Sequence, residues 1–364
     1  MKYVLGFFML VHASIHLMGF GKGFNVTDIK QQVLGISKPI GLLLLLAFIL
    51  FIVSLVLYIT NKKWFYVAFL AIILSQFLII TAWQDAKFST IANAIILLVS
   101  LSALGNDMFQ HMVNKEIVKL YSRDRKQNSQ TITKNDIETL PHIVGKWLNT
   151  SGVLGREKSE KVYLEQKGLM RTTPNGKWMS FDAKQCFNIN NVSFIWSVTV
   201  NAMPMINFVG RDKLVDGEGE MLIKLAGLIP VVNEKKNLKI NSGAMIRFLS
   251  EMCWFPSAAL SDYISWKELD GNRAKATLTW NAKSVSGVFS FTEEGSLLSF
   301  EANRYYGGGI DAKEEKWFVQ IEDYETFSGI KIPNKSKVIW KFETSDFYWL
   351  KLEITDIKFN FKKV

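Results

Sequence analysis

Residues 247 to 256 read RFLSEMCWFP, a basic and an acidic side chain packed among large aromatics. In a helix Arg247 and Glu251 stand four apart and share a face, as do Met245, Leu249 and Cys253. Arginine ahead of glutamate is the weaker orientation for a surface pair, so helix stabilisation alone explains little of the pattern. A guanidinium suits a carboxylate or phosphate head group. Trp254 and Phe255 place apolar surface beside it, as a polar anchor in an apolar binding surface requires. Gln185, Trp266, Arg304 and Tyr305 complete the candidate ligand-binding set, with the charged groups expected at the mouth of an apolar cavity.

Other chemistry is thinly represented. The sequence holds no G-x-S-x-G elbow, no H-E-x-x-H and no Walker loop, and YYGGGID lacks the Lys and Ser/Thr that would hold phosphates. DGEGE at 216–220 lacks the spacing of a calcium loop and reads as a solvated turn. His142 is the one imidazole of the second domain, which disfavours histidine triads. Paired carboxylates remain as an acid/base alternative, with Glu251, Asp262 and Asp270 as candidates. His12 and His16, one turn apart in an apolar stretch, are weak metal candidates, and Asp107 and His111 repeat the spacing. No Glu-x-x-His set or cysteine ligand accompanies them, and Cys186 and Cys253 read as two buried thiols. No motif calls for a cofactor.

These residues belong to two different kinds of chain. Seven basic and three acidic residues precede His111, leaving 36 and 30 of the total 43 and 33 for the remainder. So mild a basic excess, spread over two thirds of the chain, gives no nucleic-acid footprint. The first third is instead apolar. Tyr3–Gly21, Pro39–Asn61, Trp64–Gln84 and Phe88–Gly105 are charge-free, with Asp85 and Lys87 between the last two, and are read as four transmembrane spans in a bilayer. One face then collects Lys2, Lys62, Lys63, Lys115, Lys119, Arg123, Arg125 and Lys126, against Lys22, Lys30, Lys38 and Lys87 on the other. The bias predicts a cytoplasmic carboxy-terminal domain on an inner (cytoplasmic) membrane.

After a charged linker over 112–138 the period of the apolar residues becomes two. Segments such as KVYLEQKGLMR, SFIWSVTVNAM and EKWFVQIEDYETF alternate and are rich in β-branched and aromatic residues. Eight to eleven strands in sequence order, mostly joined by short turns, predict an antiparallel meander over 139–364. One helix, about 241–260 with Asn241 or Ser242 as its cap, interrupts them. The fold class expected is a helical four-span domain plus an α+β domain, a large curved antiparallel sheet wrapped over that helix. The many tryptophans suit either an aromatic-lined cavity or the bulky core of such a sheet.

LPHIVGKWL, GLMRTTPNGKWMSFDAKQ, RFLSEMCWFPSAAL, ISWKEL, FSFTEEGSLLSF, RYYGGG and GIKIPNKSKVIW occur in that order over about 138–362. In this the chain resembles an uncharacterised family of bacterial proteins, a domain of unknown function. The four helices, with LMGFGKGF and DAKFSTIANAIILL, look like its membrane-bound branch. The resemblance implies an open sheet similar to those of bacterial lipid and lipoprotein carriers, and no activity. The function expected is a membrane-anchored binder of a lipid or other apolar or amphipathic molecule. The alternatives are a scaffold acting through protein partners and the carboxylate enzyme.

Overall fold

The computed structural model describes residues 2–26, 35–122, 130–203, 206–235 and 237–361. Lys30, Arg123, Arg125 and Lys126 of the charge count, and 123–129 of the linker, lie outside the described residues. Two compact units result. The first holds Met1–Phe109, Met203–Asn207 and Ala226–Leu228, and the second Gln110–Ala202, Phe208–Leu225 and Ile229–Val364.

Uncharged leucine- and isoleucine-rich runs make the first unit helical. It contains α1 (Lys2–Gly23), α2 (Lys38–Ile59), α3 (Phe65–Thr81), α4 (Trp83–Ala86) and most of α5 (Ser89–Ser122). Three of these, α1, α2 and α5, are long and apolar enough to cross a membrane. The remaining expected span is α3, whose 17 residues reach about 25 Å, short of a hydrocarbon core of ~30 Å. Helices α1 and α2 meet through small residues: a Cβ on Gly23 would stand 3.3 Å from the Cα of Gly41. Small side chains allow helix backbones that approach where no water drives association.

The second unit carries α6 (Lys134–Glu138), α7 (His142–Thr150), α8 (Leu238–Glu251) and thirteen strands. The strands are β1 (Lys161–Met170), β2 (Met179–Asn188), β3 (Ser193–Met203), β4 (Ile206–Val215), β5 (Glu218–Leu225), β6 (Ile229–Glu234) and β7 (Ile264–Asp270). They continue with β8 (Arg273–Trp280), β9 (Lys283–Phe291), β10 (Leu297–Tyr305), β11 (Glu314–Phe327), β12 (Ile330–Lys341) and β13 (Asp346–Phe359). All form one open sheet in the order β6-β5-β4-β3-β2-β1-β13-β12-β11-β10-β9-β8-β7. The described pairings are antiparallel, and β1 pairs with β13 in the middle. Two meanders therefore grow outward from a central pair formed by the first and last strands.

The strand count exceeds the eight to eleven expected, because β2, β4, β6 and β7 carry weak signals. In β2, Phe181 and Ala183 alternate with polar residues, but residues 185–188 are buried on both faces, which erases the period. Strand β6 lies at the edge and contains Pro230, which edges tolerate.

The helix α8 explains the sheet's shape. It packs against β5 near one edge and against β8, β9 and β10 toward the other. Laid flat, β5 and β10 would be separated by roughly 38 Å at ~4.8 Å per strand, several times a helix diameter. Contact with both requires the sheet to wrap around the helix. The apolar set of Phe187, Phe194, Phe248, Phe255, Phe289 and Phe300 fills the space between, each 1 % exposed or less. Helix α7 adds Trp147, stacked on Phe289 and tilted against Phe291.

The start and end of α8 correct the expected 241–260. Asn237 is the cap, its Oδ1 accepting from the Ile240 amide at 2.9 Å, and Asn241 instead accepts from the Gly219 amide at 2.8 Å. The α-helix stops at Glu251 and continues as two 3-10 turns, 252–254 and 256–260. Phe255, held at φ −137°, precedes a proline, which disfavours the helical conformation there.

Candidate functional site

Arg247 projects from α8 into the interior of the wrapped sheet. Its Nε donates to Glu251 Oε1 at 2.6 Å and its Nη1 to Asp212 Oδ2 at 2.9 Å. The guanidinium lies over Trp196 and Phe194, at 4.6 Å and 5.1 Å from the ring centroids. Glu251 Oε2 accepts from Gln185 Nε2 at 2.7 Å. Side-chain exposures of 14 % for Arg247 and 8 % for Glu251 place the pair inside the unit. The expected position at a cavity mouth is thus corrected: the aromatics of β3 cover the guanidinium, and Asp212 and Gln185 satisfy the charges.

Asp212 escaped sequence reasoning. It sits in β4 between Arg211 and Lys213, which face Glu116 of α5 and Glu220 of β5 on the other side of the sheet. Three consecutive charged residues in a strand cannot all face outward, since side chains alternate. That rule was the available signal. Burial pushes the carboxyls of Asp212 and Glu251 up, against the pull of Arg247.

Arg304 is the second guanidinium of this interior. It lies in β10 in step with Phe300 and Ala302, both buried, and over Trp317 and Trp340 at 5.0 Å and 5.7 Å. Across from it is Gly243 of α8, where a Cβ would stand 3.2 Å from Arg304 Nε. Burial, reinforced by the like charge of Arg247, holds the guanidinium down to about 10, while Asp212 and Glu251 pull upward. It is still charged at neutral pH.

The nominated residues therefore divide. Arg247, Glu251 and Gln185 are in contact, and Arg304 acts on them through space. Phe255 packs into the core against Phe187 and Phe248. Trp254 is buried in the first 3-10 turn. Trp266 belongs to a separate aromatic group with Trp147 and Phe289, its Nε1 donating to the Ala259 carbonyl. Tyr305 lies under the ammonium of Lys239, 5.3 Å from its ring centroid.

The interior is filled by its own side chains. A recess of ≈ 400 Å³ is lined by charged side chains such as Lys167, Asp182, Glu322, Lys335 and Glu353 and includes none of the nominated residues. Nor do the candidate carboxylates act together: Glu251 is engaged by Arg247 and Gln185, Asp270 by Arg273, and Asp262 is exposed in a turn.

In the helical unit His12 and His16 are buried, and their Nε2 atoms face protein partners, Asn93 Oδ1 at 2.9 Å and Ser75 Oγ at 3.0 Å. Asn93 also donates to Ser75 and Gln76. The pair thus joins α1, α3 and α5 through hydrogen bonds. No cluster of three or more metal-ligating side chains occurs among the described residues.

With this geometry in place, residues 138–359 match the model of a family described as Family of unknown function (DUF6920). The chain belongs to that family. No curated protein matches it. Among solved structures it is similar to a LolA superfamily protein from Nitrosomonas europaea, at 10% identity and TM-score 0.38, over 61% of this chain and 93% of that one. A putative outer membrane lipoprotein-sorting protein domain from Vibrio parahaemolyticus gives 8% identity and 0.33, over 56% and 87%. A DUF1329 family protein from Desulfovibrio piger gives 8% and 0.33, over 65% and 96%.

Proposed function

We propose that this member of the family is a membrane-anchored binding protein for a lipid or similar amphipathic molecule. Residues 1–111 form its membrane domain, 112–138 a linker and 139–364 its binding domain. The observation that carries the reading is the cover of the sheet's inner face. A face lined by Phe187, Phe194, Trp196, Phe289, Phe300 and Trp317 is closed largely by one helix rather than by a second sheet. A helix held by few elements can yield to an apolar chain that offers the same aromatics equivalent contact. On this reading the ligand competes with α8, and Arg247, Glu251 and Gln185 fix the helix in its unliganded position.

Four passes through a bacterial inner membrane, α3 included, with a cytoplasmic binding domain, complete the proposal. The charge bias of the loops supports it, and a reporter enzyme fused after Val364 tests it by its side of activity.

The filled interior favours a second reading, a scaffold whose sheet is complete without a ligand and which works through protein partners. Native mass spectrometry of the full chain in mild detergent, followed by organic extraction, separates the two. A stoichiometric co-purifying lipid supports the binder. A clean ligand-free mass, unchanged after incubation with bacterial lipid extract, supports the scaffold.

A further inference from the structure

Two guanidiniums share the interior of the sheet, and only one is answered. Arg247 takes both carboxylates within reach, Asp212 and Glu251, by direct contact. Arg304 has neither an ion pair nor a hydrogen bond among the described residues, and its buried Nε has no acceptor. The ring it lies on, Trp317, has its own buried Nε1 without an acceptor. The Nε–H of the half-buried Arg304 and the indole N–H, both buried and both without an acceptor, are costly unless a ligand supplies oxygen atoms.

The surroundings shape that ligand. Trp317 and Trp340 give flat apolar walls, and Gly243 lets α8 lie close against Arg304, where a Cβ would stand 3.2 Å from its Nε. The segment after β10 closes the near end. Tyr306 stands edge-on to Trp340 at 5.1 Å, and Lys239 Nζ donates to the carbonyls of Gly309, Ile310 and Ala312. Beyond Phe300, which packs against Phe289 at 4.8 Å between ring centroids, lies the apolar core of the domain.

We propose that Arg304, with the indole N–H of Trp317, is the seat of a monoanionic head group with two available oxygens, a carboxylate or a phosphodiester, borne by an apolar chain. One guanidinium and one indole N–H match two oxygens. The neighbouring Asp212 and Glu251 limit the charge to one, since a dianion would meet both carboxylates. The proposal rests on the lipid-binding reading above and names its ligand class.

The test uses the full chain in mild non-ionic detergent, with occupancy read by native mass spectrometry. Equimolar oleate, phosphatidylglycerol and dioleoylglycerol, which has no anionic group, compete, for the wild type, Arg304→Met and Trp317→Phe. The wild type is expected to prefer a monoanion over the neutral dioleoylglycerol by about tenfold or more, the worth of a charge-assisted hydrogen bond. Arg304→Met should abolish the preference while retaining lipid, and Trp317→Phe, which removes the indole donor while keeping an aromatic ring, should reduce it. Whether oleate or phosphatidylglycerol is retained tells carboxylate from phosphodiester. Displacement of the lipid by millimolar acetate alone would overturn the apolar-chain requirement and leave a small-anion site. Lipid bound without charge preference, or a preference untouched in both variants, overturns the Arg304 site while the lipid-binding reading stands. No lipid of any charge on the wild type overturns that reading and this proposal with it.

Discussion

Arg247 and Arg304 both act on the carboxylates of the half-buried Asp212 and the buried Glu251, and only Arg247 touches them. The two residues should accordingly respond in opposite ways to removal. Arg247→Ala leaves two carboxylates buried without their partner and should lower stability by ~3 kcal/mol or more. Arg304→Met places an apolar side chain of similar length over Trp317 and Trp340 and removes a charge that nothing neutralises in contact. It should leave stability unchanged or raise it by about 1–3 kcal/mol. Urea unfolding followed by tryptophan fluorescence reads both. A loss of stability in Arg304→Met equal to that in Arg247→Ala would make Arg304 a structural residue.

The thiols give a pH-dependent prediction. Cys186 is 1 % exposed, and burial pushes it up to about 11; burial pushes Cys253 above that. With the pKa above ambient pH both stay protonated. At pH 8 roughly one Cys186 in a thousand is the reactive thiolate. Iodoacetamide at pH 8 should therefore leave both unlabelled in the native protein and label both in urea. Rapid native labelling of either would show that the interior opens far more readily than its packing implies.

Much of this architecture could be read in the sequence, and the failures have identifiable physical causes. The Arg247–Glu251 face followed from a spacing of four, because helical neighbours are fixed by local geometry. Asp212, its other partner, is 35 residues away, and no local pattern reports which strand will face a helix. Strand β1 was evident because its buried residues alternate with more exposed ones, and β3, buried on both faces over 193–198, because its run is rich in β-branched and aromatic residues. Strand β2 was not, because its second half is buried on both faces without such a run, Lys184, Gln185 and Asn188 diluting it. The central β1–β13 pair joins the two ends of the domain, which a sequence-order meander does not anticipate. The expected mouth was a matter of energetics rather than position. A buried ion pair is expensive, but two carboxylates, a glutamine and two aromatic rings together make one tolerable.

Gly219 tests how closely α8 is held. A Cβ there would stand 2.7 Å from the Ile240 carbonyl oxygen and 2.9 Å from the Ala244 Cβ, both on α8. The helix would have to lift from β5, stretching the Asn241–Gly219 hydrogen bond. Gly219→Ala should lower stability by roughly 1–3 kcal/mol, the usual cost of forcing a close-packed contact. If α8 yields to ligand as proposed, the same variant should bind lipid at least as well as the wild type. Thermal melting and lipid occupancy on one preparation separate the two effects.

The last prediction concerns the helical unit. Asn93 is 2 % exposed on α5 and binds His12 of α1 together with Ser75 and Gln76 of α3. In an apolar surrounding such a side chain earns its place only through its partners, since an unpaired amide there is costly. Asn93→Leu removes the amide and leaves His12 Nε2, Ser75 and Gln76 with fewer partners in a buried setting. Measured interhelical hydrogen bonds in membranes are worth up to about 1–2 kcal/mol each. The variant should unfold at a distinctly lower SDS fraction, followed by far-ultraviolet circular dichroism in mild detergent, while the monoanion preference of the sheet domain is retained. His12→Asn, which keeps a hydrogen-bonding group, should restore part of the stability lost in a His12→Leu variant. Equal behaviour of those two variants would mean that the buried rings act by volume alone and that the hydrogen bonds do not clamp the helices.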